Sequence, residues 1–258
     1  MIEAITTSNT GLDASQNQLD TSSNNLANLN TTGFKANRVL FQDLLYTTLN
    51  APSATNPAGT QLGRGVKLSS TDKLFGEGPL QNTGTQTDVA IDGSGFFVVK
   101  LPDGSTAYTR AGNFVVNSNG QLVTSDGNFL QPPITVPTNF TAISIATDGT
   151  VSVTVPGSST FQKVGQITLA RFANPPGLVS VGNTLFAPSP ASGSAVITTP
   201  GQTGTGLLRQ GFLEGSNVDA TTELANLLVA QQTFVANSQA IITANDMLLT
   251  TAELVSLT

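Results

Sequence analysis

The chain of 258 residues contains no cysteine and no histidine. The missing cysteine excludes disulfides and thiolate sites and leaves the cellular compartment open. Together the two absences remove the usual zinc ligands and two of the commonest catalytic groups, so no metal and no cofactor is expected. Charge is scarce too: Lys and Arg number 10 against 16 Asp and Glu, for a net charge of −6 and a pI near 4.4. With so few basic residues and no basic cluster, nucleic-acid binding is not expected. The first residues, Met1 to Thr10, lack a basic stretch followed by an apolar one, so a conventional cleaved secretory signal is not expected. Leu224 to Asn245 is free of charge, but Gln231, Gln232, Asn237, Gln239 and Asn245 interrupt it. A bilayer core would not accept those amides, so the expectation is a soluble chain without membrane insertion.

Carboxylates are the remaining catalytic device. Asp88 and Asp92 are four apart, which on a strand puts both on one face, as a paired-carboxylate glycosidase could use. The plainer reading makes Asp92, before Gly93, a turn residue and Asp88 a strand-end residue, and no catalytic residue is assigned. Gly93-Ser94-Gly95 lacks the third spaced glycine and following helix of a phosphate loop and reads as strand-turn backbone. Phe96 and Phe97 would face opposite sides of a sheet, one into the core and the other either buried or a subunit contact. Tyr108 and Arg110 share a strand face. Whether Arg110 pairs with a carboxylate of its own domain or of a neighbour is open.

What the chain does contain is apolar periodicity at both ends. Ala220, Leu227, Phe234, Ile241, Leu248 and Val255 repeat every seven residues, and Leu228, Val235, Ile242 and Leu249, with Leu224 before them, widen the stripe. This predicts one long helix over 217–257, about 60 Å at a rise of 1.5 Å per residue. Ile5, Leu12, Leu19 and Leu26 repeat the spacing near the start, with Ser8, Ser15 and Ser22 three residues after the first three. That predicts a thinner helix from about Glu3 to Asn28. Neither helix can hold itself up, since burial of a large side chain is worth roughly 1.5–3 kcal/mol while each ordered backbone unit costs about 1–2 kcal/mol. The heptads therefore predict that the two helices pair as a coiled coil. Before Lys35 the charges are Glu3, Asp13 and Asp20, and after Arg209 they are Glu214, Asp219, Glu223, Asp246 and Glu253. Both helices are purely acidic, so pairing must rest on apolar burial and side-chain amides, with cations supplied by Lys35, Arg38, other copies or other proteins.

Between the helices the composition shifts to Gly, Pro, Ser, Thr and β-branched residues. Gly33 can close a helix or turn in the left-handed conformation. Phe34 to Leu49 reads as a short helix or an irregular packed segment, and Asn50 to Gly65 as an exposed loop. Asp92-Gly93, Asp103-Gly104, Asn119-Gly120, Asp126-Gly127 and Asp148-Gly149 are turn dipeptides that join antiparallel strands. They separate strands at 96–100, 107–110, 113–116, 122–124, 142–146, 151–155 and 164–172. The segment 182–206 is again loop-rich, 207–213 reads as a last strand, and Ser216 or Asn217 can cap the final helix. The expected fold class is α+β: long terminal helices paired as a stalk and a central antiparallel β-rich domain. The expected divisions are 1–33, 34–70, 71–206, 207–216 and 217–258.

Asn24-Asn25-Leu26-Ala27-Asn28 with Thr32-Gly33-Phe34-Lys35 resembles the N-terminal signature of bacterial flagellar rod and hook proteins. Asp88 to Val99, which includes Gly95, Phe96 and Phe97, followed by Tyr108, Arg110, Gly112 and Phe114, is similar to that family's first β segment. Gln210 to Asp219, with Ser216, Asn217 and Val218, is similar to its C-terminal signature. The length, Gly120 to Thr124 and the run from Gln131 to Pro137 look most like a distal rod subunit; a proximal rod or hook-type subunit is the alternative within the family, and a β-rich cell-wall binding or hydrolysing protein is the alternative outside it. The resemblance implies a non-enzymatic subunit of a helical tube, with its terminal helices inside and its β domain outside, that transmits torque. It also implies other axial proteins of the proximal rod and hook, and surrounding ring proteins, as partners. Export through the flagellum's own channel and a place in the basal body between the two membranes are implied as well.

Overall fold

A computed structural model describes residues 2–51, 58–157 and 160–256, with side chains of the last helical turn outside that description. The chain divides into two compact units. The first comprises Met1–Ala27, Asn37–Lys73 and Asp219–Thr258; the second comprises Asn28–Ala36 and Leu74–Val218.

In the first unit, helix α1 spans Ile2–Ala27 and helix α2 spans Ala220–Ser256. No proline occurs before Pro52 or after Pro200, so nothing interrupts either backbone ladder. The helices pack against each other. They run antiparallel: Asn25 meets Glu223, and Gly11 lies against Asn237. The start of α2 differs from the expectation. Asp219 caps it, its Oδ1 accepting the Thr221 N–H at 2.8 Å and its Oδ2 the Thr222 hydroxyl at 3.2 Å. The Asp219 carboxyl is held below the usual carboxylate range by the backbone N–H groups of Thr221 and Thr222. Asn217 is bound to Ala36 and Leu74, and the Ser216 hydroxyl accepts the Val218 N–H at 3.3 Å, so the helix begins later than their capping would set it.

The segment left open between helix and irregular structure is a strand. Asn37–Asp43 pairs antiparallel with Val66–Lys73, from Asn37 opposite Lys73 to Asp43 opposite Val66, with a bulge between Leu40 and Phe41. Part of the expected loop at 50–65 is strand, since Thr47–Asn50 pairs with Thr60–Leu62. Its tip, 52–57, lies outside the described residues.

Among its described residues the second unit is all β apart from one 3-10 turn. A nine-stranded sheet runs, in spatial order, through Val179–Gly182, Leu185–Ala187, Thr106–Thr109, Phe96–Lys100, Phe129–Gln131, Leu122–Thr124 and Phe114–Val116. Leu169–Arg171 pairs with both Phe96–Lys100 and Val196–Thr198. Ala142–Ile145, Thr150–Thr154 and Gln162–Gln166 form a second sheet, and Val89–Asp92 pairs with Leu207–Gln210. Four of the five turn dipeptides join neighbouring strands, each with its glycine at positive φ. Asp92-Gly93 does not: it carries the chain out of the pair with Leu207–Gln210 and into the nine-stranded sheet. The expected strand over 164–172 likewise splits between two sheets, and the one over 207–213 breaks at Gly211, whose φ is +76°.

Both faces of the Phe96–Lys100 strand are buried. Phe97 meets Phe114 edge-on at 5.0 Å inside a cluster with Val89, Ile91, Leu122 and Leu130. Phe96 meets Phe75, Phe172 and Phe186 on the other face, where Tyr108 also packs. Neither phenylalanine is left for a subunit contact, because a second apolar cluster covers the face that alternation turns outward.

Candidate functional site

The paired helices bury less of their stripe than the heptads suggest. In α1 the buried positions are Ser15, Ser22 and Asn25; in α2 they include Ala230 and Ala244, with Asn237 half-buried between them. A side chain on Gly11 would sit 2.6 Å from the Asn237 amide nitrogen. The innermost line is therefore small and polar. Ile5, Leu12, Leu19 and Leu26 flank it half-buried, as do Leu227, Ile241 and Leu248, while Phe234 sits at the margin of exposure. Leu224, Leu228, Val235, Ile242 and Leu249 stand in solvent at 51%, 60%, 64%, 50% and 65% exposure. Val255 lies in the last turn, outside the described side chains. The expected central columns are thus the edges of the seam, because close approach of two backbones requires Gly, Ser and Ala between them.

Asn25, in the N-terminal motif, ties the helix pair to the adjoining strand. Its Oδ1 accepts the Asn37 N–H at 2.8 Å, while its Nδ2 donates to the Asn37 carbonyl at 2.8 Å and to Glu223 Oε1 at 2.7 Å. Both amide protons are used, and an acid of one acidic helix is hydrogen-bonded by a neutral donor of the other rather than by a cation. Leu26 and Asn28 are half-buried beside it, and Ala27 is exposed.

In the second unit three separated blocks of sequence converge on one carboxylate. Lys35 Nζ donates to Glu214 Oε1 at 2.6 Å and to the Gly76 carbonyl at 2.7 Å. Arg110 Nη1 donates to Glu214 Oε2 at 3.3 Å and to the Gly93 carbonyl at 2.8 Å, and its guanidinium lies 5.3 Å from the Phe96 ring centroid. The Gly78 N–H also donates to Glu214 Oε1, at 3.0 Å. Burial pushes the Lys35 ammonium below its ordinary value, and the Glu214 carboxylate opposes that shift. Burial lowers Arg110 in the same way, against the same carboxylate. Gly33, at φ +69°, donates its N–H to the Glu214 carbonyl at 2.8 Å, and Phe34 follows it half-buried. Asn217 accepts the Ala36 N–H at 2.8 Å and donates to the Leu74 carbonyl at 2.7 Å, with Ser216 and Val218 buried around it.

This cluster resolves the open question about Arg110: its partner is Glu214 of the same unit. The only mark of Glu214 in the sequence is that it is the one acid within Gln210 to Gly215. The arrangement offers no reacting atom to solvent. It acts as a lock that holds the chain entering and leaving the β unit, and removing the carboxylate would leave both buried cations without the partner they share.

Asp88 and Asp92 have separate partners. Thr83 Oγ donates to Asp88 Oδ2 at 2.6 Å, and Arg209 Nε pairs with Asp92 Oδ2 at 2.8 Å. Gly95, at φ +134°, has the Leu169 side chain 3.4 Å from where its Cβ would stand, so Gly93-Ser94-Gly95 is a crossover between sheets. Among the described residues no group of three acidic side chains is placed to hold a metal ion, and no helix is long and apolar enough to cross a membrane.

Three family models match the chain. Residues 5–35 match the flagella basal body rod protein model, 90–153 the D1 domain of flagellar hook protein FlgE/F/G, and 209–254 the C-terminal model of the flagellar basal body rod FlgEFG proteins. The chain is similar to the flagellar basal-body rod protein FlgG of Buchnera aphidicola subsp. Acyrthosiphon pisum, at 46% identity over 96% of this chain and 98% of the relative. It is similar to FlgG of Caulobacter vibrioides at 44% identity, over 98% of this chain and 99% of the relative. The flagellar hook protein FlgE of Helicobacter mustelae matches at 39% over only 51% of this chain and 30% of its own length.

Proposed function

The chain belongs to the family of flagellar basal-body rod proteins named FlgG, and from that premise we propose how this structural subunit of the distal rod builds its shaft. Copies assemble through their terminal helices into a helical tube, with α1 and α2 as a coiled-coil inner stalk and the β-rich region outside, and the tube carries torque from motor to hook. Functionally, 1–33 and 217–258 serve as the stalk, 34–70 as the connecting segment, 71–206 as the outer domain and 207–216 as the return. Ile5, Leu12, Leu19, Leu26, Leu224, Leu227, Leu228, Phe234, Val235, Ile241, Ile242, Leu248, Leu249 and Val255 form the intersubunit seams. The neighbours are further copies, the proximal rod and hook subunits, and ring proteins around the shaft. The working place is the periplasmic span of the basal body, reached through the flagellar export channel without cleavage of a signal.

The observation that carries this reading is the exposed stripe of α2. Seven large apolar side chains of this helix are at least half exposed: Leu224, Leu228, Val229, Val235, Ile242, Met247 and Leu249. Full burial of each against neighbours would contribute roughly 1.5–3 kcal/mol, which is large beside the cost of association. The test is Leu228→Asp and Val235→Asp in the full chain. Both variants are expected to keep the parent's circular dichroism and denaturation midpoint and to form no polymer. Assembly at the parent's concentration by both would sink the proposal.

A further inference from the structure

The first unit carries a cleft whose chemistry matches a face of its own terminal helix. Arg38 is paired with Asp72 at 3.9 Å, and Lys73 donates to Asn37 at 2.9 Å. Arg64 and Lys67 are exposed and make no ion pair among the described residues. Both line a cleft of about 550 Å³, with Leu44, Leu45 and Leu62 at its apolar surface; Leu45 is 88% exposed. Glu3 and Asp43 also line it without forming an ion pair with either cation.

On α2, Ile242, Asp246 and Leu249 fall at i, i+4 and i+7, hence on one face. Ile242 and Leu249 are exposed at 50% and 65%, and Asp246 is exposed and in no ion pair among the described residues. We propose that the cleft at Arg64 and Lys67 takes the Ile242–Asp246–Leu249 face of α2 from a second copy of this chain. Its apolar wall receives the two aliphatic side chains, and its cations receive the Asp246 carboxylate, which makes no ion pair among the described residues. Cleft and helix face are different surfaces of one molecule, so the contact is head-to-tail. A repeated head-to-tail contact that does not close into a ring builds an open helical polymer. The inference rests on the assembly reading above and names one of its contacts.

The experiment uses the full chain in three forms: Arg64→Asp with Lys67→Asp, Asp246→Arg, and all three changes together. Circular dichroism checks that each keeps the parent fold, and sedimentation with electron microscopy reads the concentration at which polymer appears. Each of the first two is expected to raise that concentration by about tenfold or more, the scale of losing a close interfacial charge pair. The combined chain is expected to recover most of the loss, because each copy then offers the reversed pair. Parent-like polymerisation by the first two forms, or no recovery in the third, overturns the inference. If Leu228→Asp blocks assembly while these charge changes do not, the assembly reading stands and this contact falls. Normal self-assembly combined with failure to enter basal bodies would assign the cleft to a different protein and equally overturn it. A parent chain that never polymerises would remove both.

Discussion

Lys35 and Glu214, 179 positions apart in sequence, meet at 2.6 Å with neither side chain exposed to solvent. Arg110 reaches the other oxygen of the same carboxylate, so two cations share one anion in a dry site. Charges in such a site are costly to bury and costlier to orphan, which makes the carboxylate the sensitive member.

Glu214→Gln is expected to lower stability by about 3–5 kcal/mol, since it removes the carboxylate that two buried cations share. Replacing the cluster together, with Lys35→Met, Arg110→Met and Glu214→Leu, should cost less than the single change. Urea midpoints of the full chain, read by circular dichroism, decide it; a single variant as stable as the parent would show that the lock carries no load.

Lys35 sets a pH dependence of definite sign. Its folded value lies below 10.5, mainly because burial disfavours the ammonium. Between the folded value and 10.5 the unfolded chain therefore holds more protons, and this group makes stability rise with pH through that window. Lys35→Met should remove that positive component. Comparing the slope of unfolding free energy against pH in parent and variant, from neutrality to the alkaline limit, measures it.

Asp219 acts in the opposite range. Its folded value is depressed below 3.8, so its contribution is present above that pH and disappears as the pH falls through the folded value. Asp219→Ala should remove the acid sensitivity of the first turn of α2. Hydrogen exchange at the amides of Thr221 and Thr222 should be faster in the variant at neutral pH, and unchanged protection would argue against the cap.

Gly33 and Gly104 separate two costs of a side chain at positive φ. Gly104, at φ +88°, has open space around its missing Cβ, so Gly104→Ala should lose only the conformational term, about 1–2 kcal/mol. Gly33→Ala adds a Cβ at 2.5 Å from the Ala111 nitrogen, beside the backbone that presents Arg110. It should be clearly the worse of the two in a denaturation series, and equal losses would mean that the neighbouring backbone yields freely.

Much of the local architecture was legible because it depends on neighbours in the chain. Sevenfold apolar spacing without proline determined both terminal helices, and Asp-Gly and Asn-Gly pairs marked four hairpins whose glycines all take positive φ. The purely acidic termini also required that amides rather than salt bridges join them, as Asn25 and Glu223 do. The resemblance drawn from three sequence blocks agrees with the family shown by the comparisons.

What a pattern within the chain does not contain is the shape of the surface it will meet. The heptads specify which side of α2 is apolar, but only the packed pair decides that Ser15, Ser22, Ala230 and Ala244 lie innermost while Leu228 and Val235 remain outside, because the approach of two backbones is set by the smallest residues between them. Asp219 is the cap because Asn217 is bound to Ala36 and Leu74 in the β unit and the Ser216 hydroxyl accepts the N–H of Val218, still ahead of the helix. The Lys35, Arg110 and Glu214 cluster is tertiary in the same sense. Each charge is unremarkable in its own segment, and only the fold, by excluding water from all three at once, makes their pairing obligatory.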